Sequence, residues 1–409
     1  MKVLHTSDWH IGRALYERSR YEEYEAFLNW LADLIESESI DVLLVAGDVF
    51  DNSTPSNRAQ TLYYRFLCRV AAAPDRHVVV TAGNHDSASF LNAPRELLKC
   101  LNVHVVGCIT DDPADELIVL DGPDGKPALF VCAVPYLRDR DIRVTEAGES
   151  ADDKERKIIE GIRDHYRQVC KAAETKRAAL KQSVPLIAMG HLFAAGSRIV
   201  DGDGVRELYI GSLAQVRTDV FPPAIDYVAL GHLHVPQTVG GSEVIRYCGS
   251  PLPIGFNEGA QKKGVCLVEF SGAAPTVKIV FVPVFQALQT IQGDWPAIAR
   301  AIDSLRAEGS RAWLEIVYNG DEMAGVLRER LEEAVAGTEL SILRIRNNRI
   351  MAKALNLTDG EEHLDDLDVM EVFQRCLESR DVPKEQREVL LSAYREILVS
   401  LNEADPMAE

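Results

Sequence analysis

An α/β (α+β) fold organised on a largely parallel sheet follows from three features of the 409-residue sequence. Apolar runs and helical patterns alternate in the order β-α-β-α-β between Val3 and Asp86. Each of those runs stops at a turn rich in Gly, Asp, Asn or His. A second, shorter alternation of helix and strand patterns begins after Pro283.

Val3-Leu4 opens the first strand, which stops at Asp8. Tyr21, Tyr24, Phe27, Leu28, Leu31, Leu34 and Ile35 share one face of a helix over 21–35. Val42-Leu43-Leu44-Val45 has the length and composition of a buried strand and ends in Gly47-Asp48. Helices are predicted over 57–73 and 88–101, flanking a strand at Val78-Thr81 that ends in Gly83-Asn84-His85-Asp86. Further strands fall at 116–120, 128–134, 185–189 and 226–230, with a long charged helix over about 153–180. Closely spaced strands from 243 to 284 suggest a second sheet packed on the first. Three segments result: 1–285, the large α/β domain; 286–347, a small α/β unit; and 348–409, an acidic linker followed by two helices. In the last helix Leu390, Tyr394, Ile397, Leu398 and Leu401 share a face, which calls for a partner surface or for packing against its own domain.

Hydrophobic residues make up 46% and charged residues 26%, as in ordinary globular chains, and no apolar run approaches the ~20 residues of a membrane span. Met1-Lys2-Val3-Leu4-His5-Thr6-Ser7-Asp8 lacks the apolar core of a signal peptide. The eight cysteines are scattered without a CxxC pair and read as small apolar residues of a reducing compartment. A cytoplasmic protein without a membrane partner is expected. The net charge of −19 argues against broad electrostatic capture of nucleic acid. Charge acts over only ~8–10 Å at physiological salt, however, so a local basic rim or bound cations suffice.

Five segments carry chemistry, each following a strand: Asp8-Trp9-His10; Gly47-Asp48-Val49-Phe50-Asp51; Gly83-Asn84-His85-Asp86; Gly190-His191; and Gly231-His232-Leu233-His234. Open α/β sheets build their sites at such strand ends. Phosphodiester hydrolysis needs a nucleophile better than water. One metal lowers the pKa of bound water, and a second ~3.5–4 Å away shares the hydroxide and neutralises phosphoryl charge. Two cations so close require an anionic bridge, while imidazoles and an amide oxygen fill the shells without excess charge. The mixed N/O set suits Mn, Fe, Zn or Mg. Asp8, His10 and His234 are accordingly assigned to one metal, Asn84, His191 and His232 to the other, and Asp48 to the bridge. In each His/Asp-x-His pair, residues i and i+2 at a strand end point the same way. His85 is assigned to the scissile phosphate and to protonation of the leaving oxygen, with Asp86 holding its ring. Asp51 supports the site from behind. Asp-x-His or Gly-Asp alone recurs by chance on protein surfaces, so the argument rests on the joint set. His5, His77, His104 and His363 read as structural or surface residues, and Trp9 as core or wall of the site.

These motifs, with Val45-Ala46-Gly47-Asp48, Ala82-Gly83-Asn84-His85-Asp86-Ser87, Ala229-Leu230-Gly231-His232-Leu233-His234 and Tyr247-Cys248-Gly249-Ser250-Pro251, resemble those of the calcineurin-like metallophosphoesterase superfamily. Within it they are most similar to the SbcD family of bacterial nuclease subunits, relatives of the nuclease in the eukaryotic MRN complex. Ser/Thr phosphatases of the superfamily usually carry an Arg after the Gly-Asp motif and a Glu closing the Gly-Asn-His motif, where this chain has Asp51-Asn52-Ser53 and Asp86. The resemblance implies a four-layer α/β/β/α sandwich, a capping domain at 286–347, and two divalent metal ions, Mn2+ in preference to Mg2+. It implies a double-strand 3′→5′ exonuclease and a single-strand and hairpin endonuclease in DNA repair, recombination and replication, located at the nucleoid. It also implies a homodimer joined to an SMC-like ATPase, SbcC, docked by the C-terminal helices. Helices 57–73 and 88–101 are candidates for dimer packing. Arg13, Arg138, Arg140 and Arg143 could form a DNA-facing rim, or Arg138 and Arg140 could merely pair with Asp139 and Asp141 on the surface. A small-substrate phosphodiesterase would use the same metal site, and a DNA-tethering scaffold would need no intact site at all. DNA compared with a chromogenic diester separates the first, and an inert Asp48→Ala change would mark the second.

Overall fold

The computed structural model describes residues 1–144, 146, 149–180, 183–194, 217–320 and 324–347, together with 374, 377, 387, 390, 391 and 394. The chain divides into two units, Met1–Gln289 and Thr290–Glu409. In chain order the first unit begins with β1 (Lys2–Thr6), α1 (Tyr21–Ser37), β2 (Val42–Ala46), α2 (Asn57–Val70), β3 (His77–Thr81), α3 (Ala88–Asn92), α4 (Arg95–Lys99) and β4 (Val103–Val106). It continues with β5 (Leu117–Asp121), β6 (Pro127–Ala133), α5 (Asp139–Ile142), α6 (Ala151–Ala178), β7 (Leu186–His191) and β8 (Tyr227–Gly231). It closes with β9 (Gln237–Val239), β10 (Ser242–Tyr247), β11 (Gly264–Ser271) and β12 (Ala274–Phe281).

Two six-stranded sheets result, ordered β12-β11-β1-β2-β3-β4 and β5-β6-β7-β8-β10-β9. β1 to β4 run parallel, as the β-α-β-α-β order requires, as do β6, β7, β8 and β10. The strands after residue 243 do not make a sheet of their own. β10 extends the second sheet beside β8, whereas β11 returns antiparallel to β1 and enlarges the first. Strand spacing reveals that strands exist but not which sheet receives them. The predicted helix over 88–101 is broken into α3 and α4 around Pro94, which caps α4 and cannot donate inside a helix.

Strand alternation explains the layers. Val42, Leu44 and Ala46 of β2 and Val79 of β3 meet Ile187 and Met189 of β7 between the sheets. Leu43 and Val45 point the other way, onto Tyr24, Phe27, Leu31 and Phe66 of α1 and α2. Leu186 and Ala188 of β7 likewise pack under Ile162, Tyr166 and Val169 of α6. This is the four-layer α/β/β/α arrangement. Trp9 is core, edge-on to Phe27 and Phe66. Helix starts follow local chemistry: Ser56 caps Ala59 N–H at α2, and Ser150 caps Asp153 N–H at α6.

The second unit contains β13 (Leu288–Gly293), which leads into it, α7 (Trp295–Ala307), β14 (Trp313–Tyr318), α8 (Ala324–Val335) and β15 (Ser341–Asn347) in a three-stranded sheet. The acidic linker, His363 and most of the two C-terminal helices lie outside the described residues. Among the described residues no helix is long and apolar enough to cross a membrane. Cys132, Cys170, Cys248 and Cys266 are buried, and Cys68, Cys100 and Cys108 are exposed.

His5 ties the sheets together. Its Nε2 lies 3.2 Å from the Leu230 carbonyl and its Nδ1 3.0 Å from the Tyr227 hydroxyl. A carbonyl only accepts, so Nε2 carries the proton and Nδ1 accepts from the tyrosine. Burial pushes this imidazole down to about 3. The unfolded ring titrates near 6.5, so acid protonates the unfolded chain first, and stability falls as pH drops from about 6.5 towards 3. Between pH 7 and pH 5, His5 alone should cost about 2 kcal/mol. Urea unfolding at both pH values checks this: His5→Gln should shrink the difference by that amount, and an unchanged difference would refute it.

Candidate metal centre

All seven residues assigned as ligands converge where the parallel strands end. Asp8 and His10 follow β1, Asp48 follows β2, Asn84 follows β3, His191 closes β7, and His232 and His234 follow β8. The i, i+2 strand geometry expected for the paired motifs is not how they get there. Asp8, His10, Asp48 and His232 all have left-handed backbones, with φ of 52°, 49°, 51° and 98°. Such angles cost non-glycine residues of order 1–3 kcal/mol each and persist only where the surroundings impose them. The imposing bonds are visible: Asp8 N–H donates to Gly47 O and His10 N–H to Asp48 O, each at 3.0 Å. Asp8 Oδ1 accepts His232 N–H at 2.9 Å, so the carboxylate braces the loop of the other sheet. Ser7 Oγ donates to Asp8 Oδ2 at 2.5 Å.

The donor atoms form two lobes that share Asp48 Oδ2. In one, His10 Nε2 lies 3.3 Å from His234 Nε2 and 3.5 Å from Asp48 Oδ2. Asp8, His10 and His234 can each aim one ligand atom at a common point. In the other, Asn84 Oδ1 lies 3.0 Å from His191 Nε2 and 3.1 Å from His232 Nδ1, and His191 Nε2 lies 3.3 Å from Asp48 Oδ2. Glycines permit this crowding. A Cβ on Gly231 would land on the Ala46 carbonyl, and one on Gly47 would strike the His191 ring.

The electrostatics fit divalent cations. His191 Nδ1 lies 3.0 Å from the Ala46 carbonyl and must donate to it. In the neutral ring Nε2 is then a lone pair, facing the Asn84 and Asp48 oxygens, an arrangement that holds together only with positive charge between the atoms. With protons as the sole counter-charge, burial lowers the His191 imidazole but Asp48 and Asp8 outweigh it and lift it to about 9. Burial raises the Asp48 carboxyl, yet His191 and His10 hold it well below the usual carboxylate range. Burial, then His191, pushes His232 down to about 3, and its Nε2 is buried without a hydrogen-bond partner among the described residues. The set of imidazole, carboxylate and amide donors, buried and partly unsatisfied, suits divalent metal ions.

His85 belongs to the site without joining either lobe. Its backbone N–H donates to Asp48 Oδ1 at 2.9 Å, and its ring centroid is 4.9 Å from that of His10. Its Nδ1 lies 2.9 Å from the Asp51 carbonyl, which fixes the proton on Nδ1 and leaves Nε2 as the presented atom. The expected Asp86–His85 pairing is therefore corrected. The Asp86 carboxylate instead accepts backbone N–H groups of Val49, Phe50 and Gly83 at 3.1, 3.0 and 2.9 Å. It clamps the loops after β2 and β3 together, because a carboxylate has enough lone pairs to satisfy three orphan donors. Burial, with the Asp48 charge, raises it to about 6 against those three bonds. Asp51 does lie behind a proposed ligand, with Oδ1 3.5 Å from His10 Nδ1.

The basic rim is thinner than expected. Arg13 Nη1 donates to Asp51 Oδ1 at 3.1 Å, at the edge of the site. Tyr136, ring to ring 6.3 Å from His191, leads directly to exposed Arg138. Arg140 is exposed and 3.7 Å from Asp141. Arg143 is corrected: its side chain is buried between Glu149 and Asp139, at 2.7 and 3.4 Å, and faces no ligand. Two residues escaped the sequence reading altogether. Glu258 and Lys263, both buried, lie behind His234, with Lys263 Nζ 3.0 Å from the His234 carbonyl. Isolated charges in a loop carry no periodic signal; only the preceding Gly249-Ser250-Pro251 hinted that this loop matters.

Comparison with known proteins identifies the family. A family model described as calcineurin-like phosphoesterase matches residues 1–236, and one described as type 5 capsule protein repressor C-terminal domain matches residues 284–381. The chain is similar to the SbcD subunit of nuclease SbcCD from Escherichia coli K12, at 36% identity over 404 residues, covering 98% of each chain. It is also similar to the same-named proteins of Rhodobacter capsulatus and Bacillus subtilis. Identity is 38% over 333 residues in the first, covering 77% of this chain and 80% of that one. It is 34% over 271 residues in the second, covering 66% of each.

Proposed function

The chain belongs to the SbcD family of calcineurin-like phosphoesterases, and from that premise we propose that it is the metal-dependent nuclease subunit of an SbcC–SbcD complex. The observation that carries the proposal is the pair of donor lobes sharing Asp48 Oδ2. Asp8, His10 and His234 would hold one divalent ion and Asn84, His191 and His232 the other, with the Asp48 carboxylate shared between the two sets. Bound there, the ions, Mn2+ in preference to Mg2+, would supply water of lowered pKa and neutralise phosphoryl charge. The chain's own residues do the rest. Ser7 and the His232 amide hold the Asp8 carboxylate in place. The Ala46 carbonyl holds the His191 tautomer. The Asp51 carbonyl orients His85 so that its protonated ring offers an N–H at Nε2 to the leaving 3′ oxygen.

The substrate is DNA, cut as a double-strand 3′→5′ exonuclease and as a single-strand and hairpin endonuclease, with Arg13, Arg138 and Arg140 at the rim. Residues 286–347 would be the capping domain, and 348–409 would dock on an SMC-like ATPase. Leu97 and Leu101, 70% and 41% exposed on and just after α4, support a homodimer through that face. The setting is the cytoplasm, at the nucleoid.

The test is purified chain on end-labelled linear duplex, with manganese, with magnesium and with EDTA. Manganese-dependent loss of label that EDTA abolishes is expected. His85→Gln should lower the rate by about 10²–10⁴-fold while leaving manganese bound. Hydrolysis of a chromogenic diester with intact DNA, alone and with the ATPase and ATP, would overturn the nuclease reading.

A further inference from the structure

The loop Gly249–Lys263 holds a buried polar network that the hydrolytic reading does not use. Lys263 Nζ shares its three N–H groups among four acceptors within reach: Glu258 Oε2 at 2.5 Å, the His234 carbonyl at 3.0 Å, Ser250 Oγ at 3.1 Å and Gln261 Oε1 at 3.2 Å. Ser250 N–H also donates to the His234 carbonyl, at 3.1 Å. Ile254 N–H donates to Glu258 Oε2 at 3.0 Å. One carboxylate oxygen is thus fully engaged. The other, Oε1, is buried, takes no hydrogen bond among the described residues, and lies 3.8 Å from Nδ1 of His234. The opposite ring nitrogen of His234, Nε2, faces His10 Nε2 and the metal lobe.

Burying a charged pair is costly, and packing alone would be served as well by apolar side chains of the same volume. What a carboxylate behind an imidazole does supply is a fixed ring with the proton on the far nitrogen, leaving the near one free to bind a cation. We propose that Glu258 is a positioning residue for His234, held in place by Lys263, and that it sets the affinity of the Asp8–His10–His234 lobe for its metal. Lys263 and Ser250 fix the main chain of His234, while Glu258 faces its ring. The inference rests on the reading of His234 as a metal ligand.

The two kinds of failure separate in one experiment. Manganese is titrated calorimetrically into metal-stripped wild-type chain, Glu258→Gln, His234→Ala and the double variant. In Glu258→Gln the carboxamide oxygen keeps the bonds from Lys263 and Ile254, so its NH2 group faces Nδ1. The ring must then accept there and carry its proton on Nε2, where it blocks the metal. One of two manganese sites should weaken by about 10–100-fold and the other stay unchanged. Added to His234→Ala, the same change should do nothing more. Wild-type affinity at both sites in Glu258→Gln, or an equal loss in the His234→Ala background, overturns the role of Glu258. No manganese uptake by wild type overturns the metal reading itself and this inference with it. If circular dichroism shows Glu258→Gln unfolded, Glu258→Asp decides. It keeps the charge opposite Lys263 but withdraws it from the ring, so loss at one site supports the proposal and wild-type affinity refutes it.

Discussion

Asp48→Asn should lower nuclease turnover by about ten-thousandfold or more, equivalent to roughly 5.5 kcal/mol of transition-state stabilisation. The side chain is nearly isosteric, so Oδ1 can still accept the His85 amide, which keeps that loop in place. What disappears is the negative charge between the two lobes, whose Oδ2 lies 3.5 Å from His10 Nε2 and 3.3 Å from His191 Nε2. Without it the lobes have no shared anion, and two cations so near one another repel without compensation. The folded state itself should survive, because the imidazoles left without a counter-ion can shed their protons instead of staying charged and buried. Turnover on labelled duplex, manganese stoichiometry and far-UV dichroism together check this. Folded protein with undiminished cleavage would remove Asp48 from the chemistry.

Gly83→Ala should be damaging by a different route. The backbone of Gly83 is not left-handed, so alanine meets no φ penalty there. Its Cβ, however, would land on Asp48 Oδ1 and against the Asp48 backbone N. Neither can retreat, because Oδ1 accepts the His85 amide and Gly83 N–H is held by Asp86. Overpacking of this kind costs about 3 kcal/mol. A displacement near 1 Å at a catalytic carboxylate costs about 100-fold in rate. Gly125→Ala is the control. It has open space around it and only a left-handed backbone, φ 69°, to strain, at about 1 kcal/mol. Thermal unfolding and cleavage rates of the two variants should therefore diverge, with Gly125→Ala retaining full activity. Equal activity in both would show that the approach of β3 to Asp48 is not needed.

How much of this was legible before the structure depends on the residue. Asp8, Asp48, Asn84 and His191 stood out because each follows an apolar run that can only be a buried strand, and parallel strands deliver their ends to one edge. The same logic could not see β4 and β9, only four and three residues long, which offer too few alternations to count. It misplaced β11, because sheet membership is decided by which edge is still open, a property of the whole chain. It misjudged Asp86 because adjacency to His85 in sequence says nothing about where three orphan amides lie in space. Arg143 looked like its neighbours, and only the return of Glu149 across it reveals a buried ion pair. Left-handed backbones at Asp8, His10, Asp48 and His232 leave no compositional trace where glycine is absent.

The separation of the proposed ligands along the chain has a further consequence for biosynthesis. His10 meets His234, and Asp8 meets the amide of His232, across 224 residues. A ribosome has therefore built most of the first unit before the loop after β8 can reach the loop after β1. Until then Asp8, His10, Asp48 and Asn84 are tethered to a half-finished sandwich that lacks three of its imidazoles. The order of synthesis thus delays the proposed metal centre, which can be complete only when the distant halves of the first unit have closed on each other.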